Sequence, residues 1–498
     1  MTYTPTNIPL GPLDHIAPWN IPQSVIYLSL KHGVTTQDAF STLLEGLRRT
    51  FLQIPWLNGR VHWQSENTPG WRPGQLEIRY SALTQNPPQL RYNEMKTNLT
   101  FPDLKDLAFP LDTFNDEELL WTNPFEPNFE TGLEVFTAQA NFLPGGCALV
   151  LSVAPPASDG TAMLSVTRLW ADHCSSLMHD GHQPNDGPDS SSSALGPLAY
   201  ASSERTVLDS TGKQLKGATS SGQMNPEIYH LVGLDPEQGS SDEGSHVPAN
   251  AISELSKEMK PSLFYLPHAA YTTLRKDCVA ELGVTEVSGN DLVCALIWRS
   301  VSRAYMAVHS AQSSNMEPFE PQSELCIPFD ARVDLMGSLP SNYLGNLNFE
   351  HKLACSLDHL VAKETSIPQL AKMIRTHASE FACGANLLEA YSLLGSVSDY
   401  RQVPQMRAPR MKSASVGVLS PMMLPFNEAC FGAQVFGNGG RPEAFRPMMG
   451  ACNSGFRTTF VVPRKSHGGI EFVLTLSEKE RNFLAGDSEF TSYALHLA

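Results

Sequence analysis

Leu149-Val150-Leu151-Ser152-Val153-Ala154-Pro155-Pro156-Ala157-Ser158-Asp159-Gly160-Thr161-Ala162-Met163 decides the fold. The apolar run from Ala148 to Val153 predicts a buried strand. Pro155 and Pro156 stop it, because neither has an N–H to give to a ladder. Asp159-Gly160 predicts a turn, and Thr161 opens a helix with Met163, Val166, Leu169 and Trp170 on one face. Strand, tight loop and helix together place a few side chains in a cleft.

On the N-terminal side, Glu134 to Ala140 predicts a strand and Pro144-Gly145-Gly146 a hairpin turn. Further upstream, Ser24 to Leu30 alternates as a strand. Thr36 is the predicted cap of a helix carrying Ala39, Phe40, Leu43, Leu44 and Leu47. On the C-terminal side the composition changes from about His179 to Lys260. Ser190-Ser191-Ser192-Ser193 and Gly239-Ser240-Ser241-Asp242-Glu243-Gly244-Ser245 mark a crossover linker, partly disordered. The predicted division is residues 1–178, a linker at 179–260, and residues 261–498.

With 498 residues, 41% of them hydrophobic, the chain is long enough for two domains with large cores. A net charge of −16 argues against nucleic acid or an anionic membrane surface as a main partner. Nine cysteines without a CxxC pair point to free thiols in a reducing compartment. No secretory signal and no run of about 18 apolar residues is present, so a cytoplasmic protein is expected. No metal site is expected.

Other segments fall in a telling order: Leu10-Gly11-Pro12-Leu13-Asp14; Ile54-Pro55-Trp56-Leu57-Asn58-Gly59-Arg60; Ser288-Gly289-Asn290-Asp291; Asp330-Ala331-Arg332 with Leu339-Pro340-Ser341-Asn342-Tyr343-Leu344-Gly345-Asn346; and Pro463-Arg464 with Gly468-Gly469-Ile470-Glu471. Together they resemble the BAHD-type acyl-CoA-dependent acyltransferases, especially the fungal, trichothecene 3-O-acetyltransferase-like branch. The resemblance implies an α/β fold of two chloramphenicol-acetyltransferase-like domains, each a mixed sheet flanked by helices, with a channel at their interface. It also implies a monomer, and an ion pair between Arg332 and Asp159, which makes Asp159 and Gly160 structural.

The family's strand is followed by His-His-x-x-x-Asp-Gly, and its second histidine is the general base. Here those positions hold Ala154 and Pro155, and proline has no group to take a proton. The family's second block, Thr-Ser-Trp with Asp-Phe-Gly-Trp-Gly, aligns through Leu424-Pro425 and Phe431-Gly432. That register puts Leu419, Pro421 and Cys430 where threonine, tryptophan and aspartate stand in the family. Phe431 and Gly432 are then structural anchors. The resemblance therefore implies an apolar pocket lined by Ala154, Pro155, Pro156, Ser158, Leu419, Pro421, Met422 and Cys430. Among the histidines, His15 is the candidate substitute base; His173, His268 and His467 lie farther from the motif.

Loss of polar groups at the chemical positions, with scaffold motifs kept, implies a change of chemistry. The first expectation is an enzyme of fungal secondary metabolism closing a ring in a small natural-product substrate, a Diels–Alder-type cycloaddition needing no cofactor. The second is an O-acyltransferase with a displaced base, for which acyl-CoA is the co-substrate. The third is a non-catalytic binding protein.

Overall fold

The computed structural model describes residues 6–17, 23–81, 86–121, 127–177, 204–205, 207–209, 225–234, 259–283, 286–309, 321–340, 342–403, 414–448, 457–465 and 468–497. The fold is α/β, with two domains whose mixed sheets are flanked by helices.

The first domain is built on a five-stranded sheet of β1 (Gln23–Ser29), β2 (Leu90–Glu94), β3 (Phe136–Leu143), β4 (Gly146–Val153) and β9 (Ala444–Pro447), ordered β9-β1-β4-β3-β2. Strands β3 and β4 form a hairpin closed by Pro144-Gly145, and every residue of both is buried. Gly145 sits at φ 86°, where a side chain would be strained. Burial on both faces explains why β4 reads as an unbroken apolar run.

Two helices cover the apolar face of this sheet, α1 (Thr36–Gln53) and α2 (Gly160–Ser176). The cap of α1 is Thr35, one residue before the expected Thr36. Thr35 and Asp38 form a reciprocal capping box, which only that spacing satisfies. The Trp170 indole N–H donates to the Leu43 carbonyl at 2.8 Å. Gly46 lets the helices meet, because a Cβ there would lie 2.3 Å from Cys174 Sγ. Gly46→Ala is expected to destabilise the fold by about 1–3 kcal/mol through overpacking. A urea midpoint unchanged by the substitution would contradict that packing.

The second domain carries a seven-stranded sheet. Its strands are β5 (Met259–Leu266), β6 (Gln322–Asp330), β7 (Asn348–Ser356), β8 (Val416–Leu419), β10 (Thr458–Val461), β11 (Ile470–Ser477) and β12 (Leu495–His496). They run in the order β7-β6-β8-β10-β11-β5-β12. Helix α4 (Gly289–His309) supplies much of this core, and its Trp298 indole donates to Ser323 Oγ at 2.8 Å.

The expected separation of the two halves needs correction. The second half does not keep to itself: β9 pairs antiparallel with β1, Ala444 opposite Tyr27. Arg446 of that strand ties the halves together through a buried ion pair with Glu471 at 2.8 Å. Part of the crossover tract, residues 179–260, is built into the fold. Helix α3 (Pro226–His230) docks there, and Leu208, Ile228, Leu231, Val232 and Leu234 are buried in a cluster with Leu387, Ala390 and Leu394. An apolar residue spaced through a polar tract anchors it without changing its average composition. Ser190–Ser193, Gly239–Ser245 and His467 lie outside the described residues.

Candidate active site

The end of β4 and the start of α2 face the loop that follows β6, and this contact is where the domains meet. Asp159 is the N-cap of α2, accepting from the Ala162 N–H at 2.9 Å. Its other oxygen accepts from the Leu347 N–H at 2.8 Å, across the interface. Arg332 donates to Asp159 Oδ1 at 3.1 Å, to the Gly345 carbonyl at 2.7 Å and to the Tyr343 carbonyl at 3.1 Å. The Asp159 side chain is fully buried, with no edge open to a substrate. Ser158 Oγ donates to the Leu344 carbonyl at 2.8 Å, so its hydroxyl is also engaged in the interface. Gly160 carries no packing demand. Nothing lies within 4 Å of a Cβ built on it, and its φ is not positive, so the expectation that it is structural does not hold.

Ala154, Pro155 and Pro156 form a buried turn, with the Ala157 and Ser158 N–H groups returning to the Ala154 carbonyl. The Pro155 carbonyl accepts from Asn346 Nδ2 at 2.8 Å. The same amide donates to Asp14 Oδ1 at 2.8 Å. Residue 155 is therefore held in place by its backbone, with a ring that cannot titrate on its α-carbon. Arg205 Nη2 donates to the Ala157 carbonyl at 2.8 Å.

His15, the candidate substitute base, has both ring nitrogens engaged. Its Nδ1–H donates to the Gly11 carbonyl at 2.8 Å, and its Nε2 accepts from the Leu76 N–H at 3.0 Å. Its ring is stacked on Tyr400 at 4.0 Å. Both nitrogens are used, and burial drives its pKa down to about 4. The unfolded imidazole takes its proton near pH 6.5, so the folded state binds it less readily. The stability His15 contributes is complete above about pH 6.5 and is lost as pH falls toward 4. The loss is on the order of 3 kcal/mol in all. Urea midpoints at pH 7.5 and 4.5 are expected to differ more for the unmutated chain than for His15→Gln. His351, also depressed to about 4, contributes equally to both chains and cancels.

The remaining sequence candidates do not converge on one space. Leu419 ends β8 with 41% of its surface exposed. Pro421 is half-buried beside it, and Met422 belongs to the core of the second domain. Cys430 contacts Ser175 Oγ at 3.7 Å, at the C-terminal end of α2. That helix has 17 residues and is about 25 Å long, so Cys430 sits a helix length away from the Pro155 turn. It does not line a pocket with Pro155. The register that aligned it follows chain order, and chain order does not measure distance. Its neighbours Phe431 and Gly432 are packing residues. Phe431 is edge-on to Trp170, and Gly432 turns the chain at φ 107°. Cavities of about 870 and 960 Å³ lie elsewhere, beside the β3–β4 hairpin and between α3 and β7. Among the described residues no cluster of His, Cys, Asp and Glu is able to hold a metal ion, and no helix is long and apolar enough to cross a membrane.

Three residues of this site carry weight that the sequence did not assign: Asp14, Asn346 and Arg205. Asp14 and Asn346 each close a scaffold motif directly after a stretch of apolar residues, a weak signal for a buried polar tie. Arg205 gave no signal, lying in a tract whose composition reads as linker.

Residues 22–174 match the trichothecene 3-O-acetyltransferase-like N-terminal domain. The chain is 27% identical to the isocyanide synthase-NRPS hybrid crmA of Aspergillus fumigatus, over 97% of this chain and 31% of that protein. It is 23% identical to the O-acetyltransferase ptmV of Penicillium ochrochloron, over 98% of this chain and 96% of the relative. The chain thus spans about a third of one of these relatives and nearly all of the other. In fold it is similar to TRI101 of F. sporotrichioides complexed with coenzyme A and T-2, with a TM-score of 0.72, 19% identity and coverage of 99% and 100%. The chain is thus similar in sequence to fungal acyltransferases and in fold to TRI101. Its turn at Ala154-Pro155 carries no titratable side chain.

Proposed function

We propose that the chain is an enzyme of secondary metabolism that binds a small molecule between its two domains and converts it without a general base. The observation that carries this is the Pro155 turn. No side chain from Ala154 to Ser158 titrates, and His15, on the segment tied to this turn through Asp14 and Asn346, has both nitrogens bonded. Acyl transfer to a hydroxyl needs a proton acceptor near the nucleophile. Closing a ring within one substrate needs none. In a cycloaddition of a diene with an alkene, three π bonds become one π bond and two σ bonds, and no proton or leaving group moves. What the protein supplies is a held geometry, which is worth several kcal/mol when the reacting carbons are kept close.

A second reading has its own support. The relatives include an O-acetyltransferase, and the structural neighbour is one bound to coenzyme A. In that reading acyl-CoA is the co-substrate and the proton leaves through the acceptor's own groups or water.

The discriminating experiment incubates purified protein with polyketide or terpenoid substrates carrying a tethered diene and alkene, without any thioester. The expected product is an isomer of unchanged mass, formed faster and with one stereochemistry. Racemic product at the buffer rate, across a panel in which acyl-CoA is turned over, would favour the second reading.

A further inference from the structure

Arg205 is one of the largest fully buried side chains of the molecule, with 2% of its surface exposed. It comes from the crossover segment and reaches the turn that replaces the family's histidines. Only one edge of its guanidinium is spent on the backbone, Nη2 on the Ala157 carbonyl. Its Nε is buried with no hydrogen-bond partner among the described residues, while the Tyr343 hydroxyl bonds the guanidinium. The Trp56 ring lies 4.9 Å from its central carbon, and Tyr343 lies 5.9 Å away. A Cβ on Gly345 would fall 2.1 Å from Nη1 and 2.4 Å from the Tyr343 hydroxyl, so glycine is what admits the guanidinium. A buried N–H donor of a cation left without an acceptor costs several kcal/mol, and folded proteins rarely leave such a group unmet.

The charge of Arg205 is already balanced. Asp14 acts on it electrostatically, and its carboxylate accepts from the Gly11 N–H at 2.8 Å, the Asn346 N–H at 3.3 Å and Asn346 Nδ2 at 2.8 Å. Burial pushes the Asp14 carboxyl up, while Arg205 and these donors pull it back. Both of its oxygens face N–H groups. What Arg205 lacks is therefore an oxygen acceptor and not a second negative charge.

We infer that Arg205 binds an uncharged carbonyl oxygen of the substrate, a ketone, ester or amide, through Nε. This rests on the preceding reading that the domain interface takes a small molecule. It also adds chemistry to it. A hydrogen bond from a buried cation withdraws electron density from a carbonyl-conjugated alkene, and that makes the alkene a better partner for a diene. No proton is transferred; the bonds that form are carbon–carbon.

The test is NMR of the arginine Nε–H signals in isotope-labelled full-length protein, with cyclohex-2-enone as the probe and benzoate and cyclohex-2-enol as comparisons. Arg205 is assigned by its missing signal in Arg205→Lys. Should that variant not fold, Trp56→Phe assigns it by the lost ring-current shift. The expected result is that the enone moves the Arg205 signal and the enol moves it less. Enone binding should be roughly 10- to 100-fold weaker in the lysine variant. Benzoate moving the signal in place of the enone, or no probe moving it, overturns the inference. Enone binding at Arg205 in a protein that cyclises nothing supports this inference and overturns the reading before it.

Discussion

Acyl transfer is expected to rise roughly 100-fold when Pro155 is replaced by His, read as free thiol released from acetyl-CoA in the presence of a hydroxylated terpenoid. A positioned base contributes about 10²–10⁴ in rate. The backbone at residue 155 is fixed independently of its side chain. Asn346 bonds the carbonyl of residue 155, not its side chain, so that tie survives the substitution. Asp159 and Arg332 fix the far end of the loop. Proline has no N–H, so histidine gives up no hydrogen bond by entering. The gain is set at the low end because the turn itself supplies no oxyanion donor from its side chains. Ala154 and Pro156 offer none for a tetrahedral intermediate, and each missing donor costs about 2.7–4 kcal/mol. A folded Pro155→His protein that releases no thiol would show that the turn does not present residue 155 to a bound thioester.

Asp159→Ala is expected to cost about 3–5 kcal/mol of stability, the range for removing one partner of a buried ion pair. Three losses coincide. The α2 N-cap disappears, the Leu347 N–H is left buried without its acceptor, and the Arg332 guanidinium loses the carboxylate that offsets its burial. Asp330 stays on Arg332 at 2.8 Å and softens the third loss. Because the same carboxylate joins the two domains, the denaturation midpoint should fall and thermal unfolding should begin at the interface. A midpoint within error of the unmutated chain would refute the assignment of Asp159 as the structural tie between domains.

Much of the fold was legible in the sequence because it is local. The β4 run, the Pro155-Pro156 stop and the periodic face of α2 are each set by neighbouring residues, and the strand and helix fall where those signals put them. Thr35 and Thr36 differ by one residue because both are good caps, and only the three-dimensional box with Asp38 separates them. The site was less legible because it is assembled from distant segments. Asp14, Pro155, Arg205 and Asn346 meet across more than 300 residues. A composition window saw Arg205 as one charge in a polar tract. A motif register placed Cys430 beside Pro155 along an alignment, whereas α2 stands between them. His15 was legible as a residue next to the interface, but not its two hydrogen bonds, which engage both ring nitrogens.

The most direct measurement of the central claim is free-thiol release by the unmutated protein itself, offered acetyl-CoA and longer acyl-CoAs with hydroxylated terpenoid and polyketide acceptors. A turn with no titratable side chain from Ala154 to Ser158, beside a His15 with both nitrogens bonded, predicts release no faster than in buffer at every acceptor concentration. Saturable thiol release with formation of the matching ester would contradict it and return the chain to the acyltransferases in activity as well as in fold.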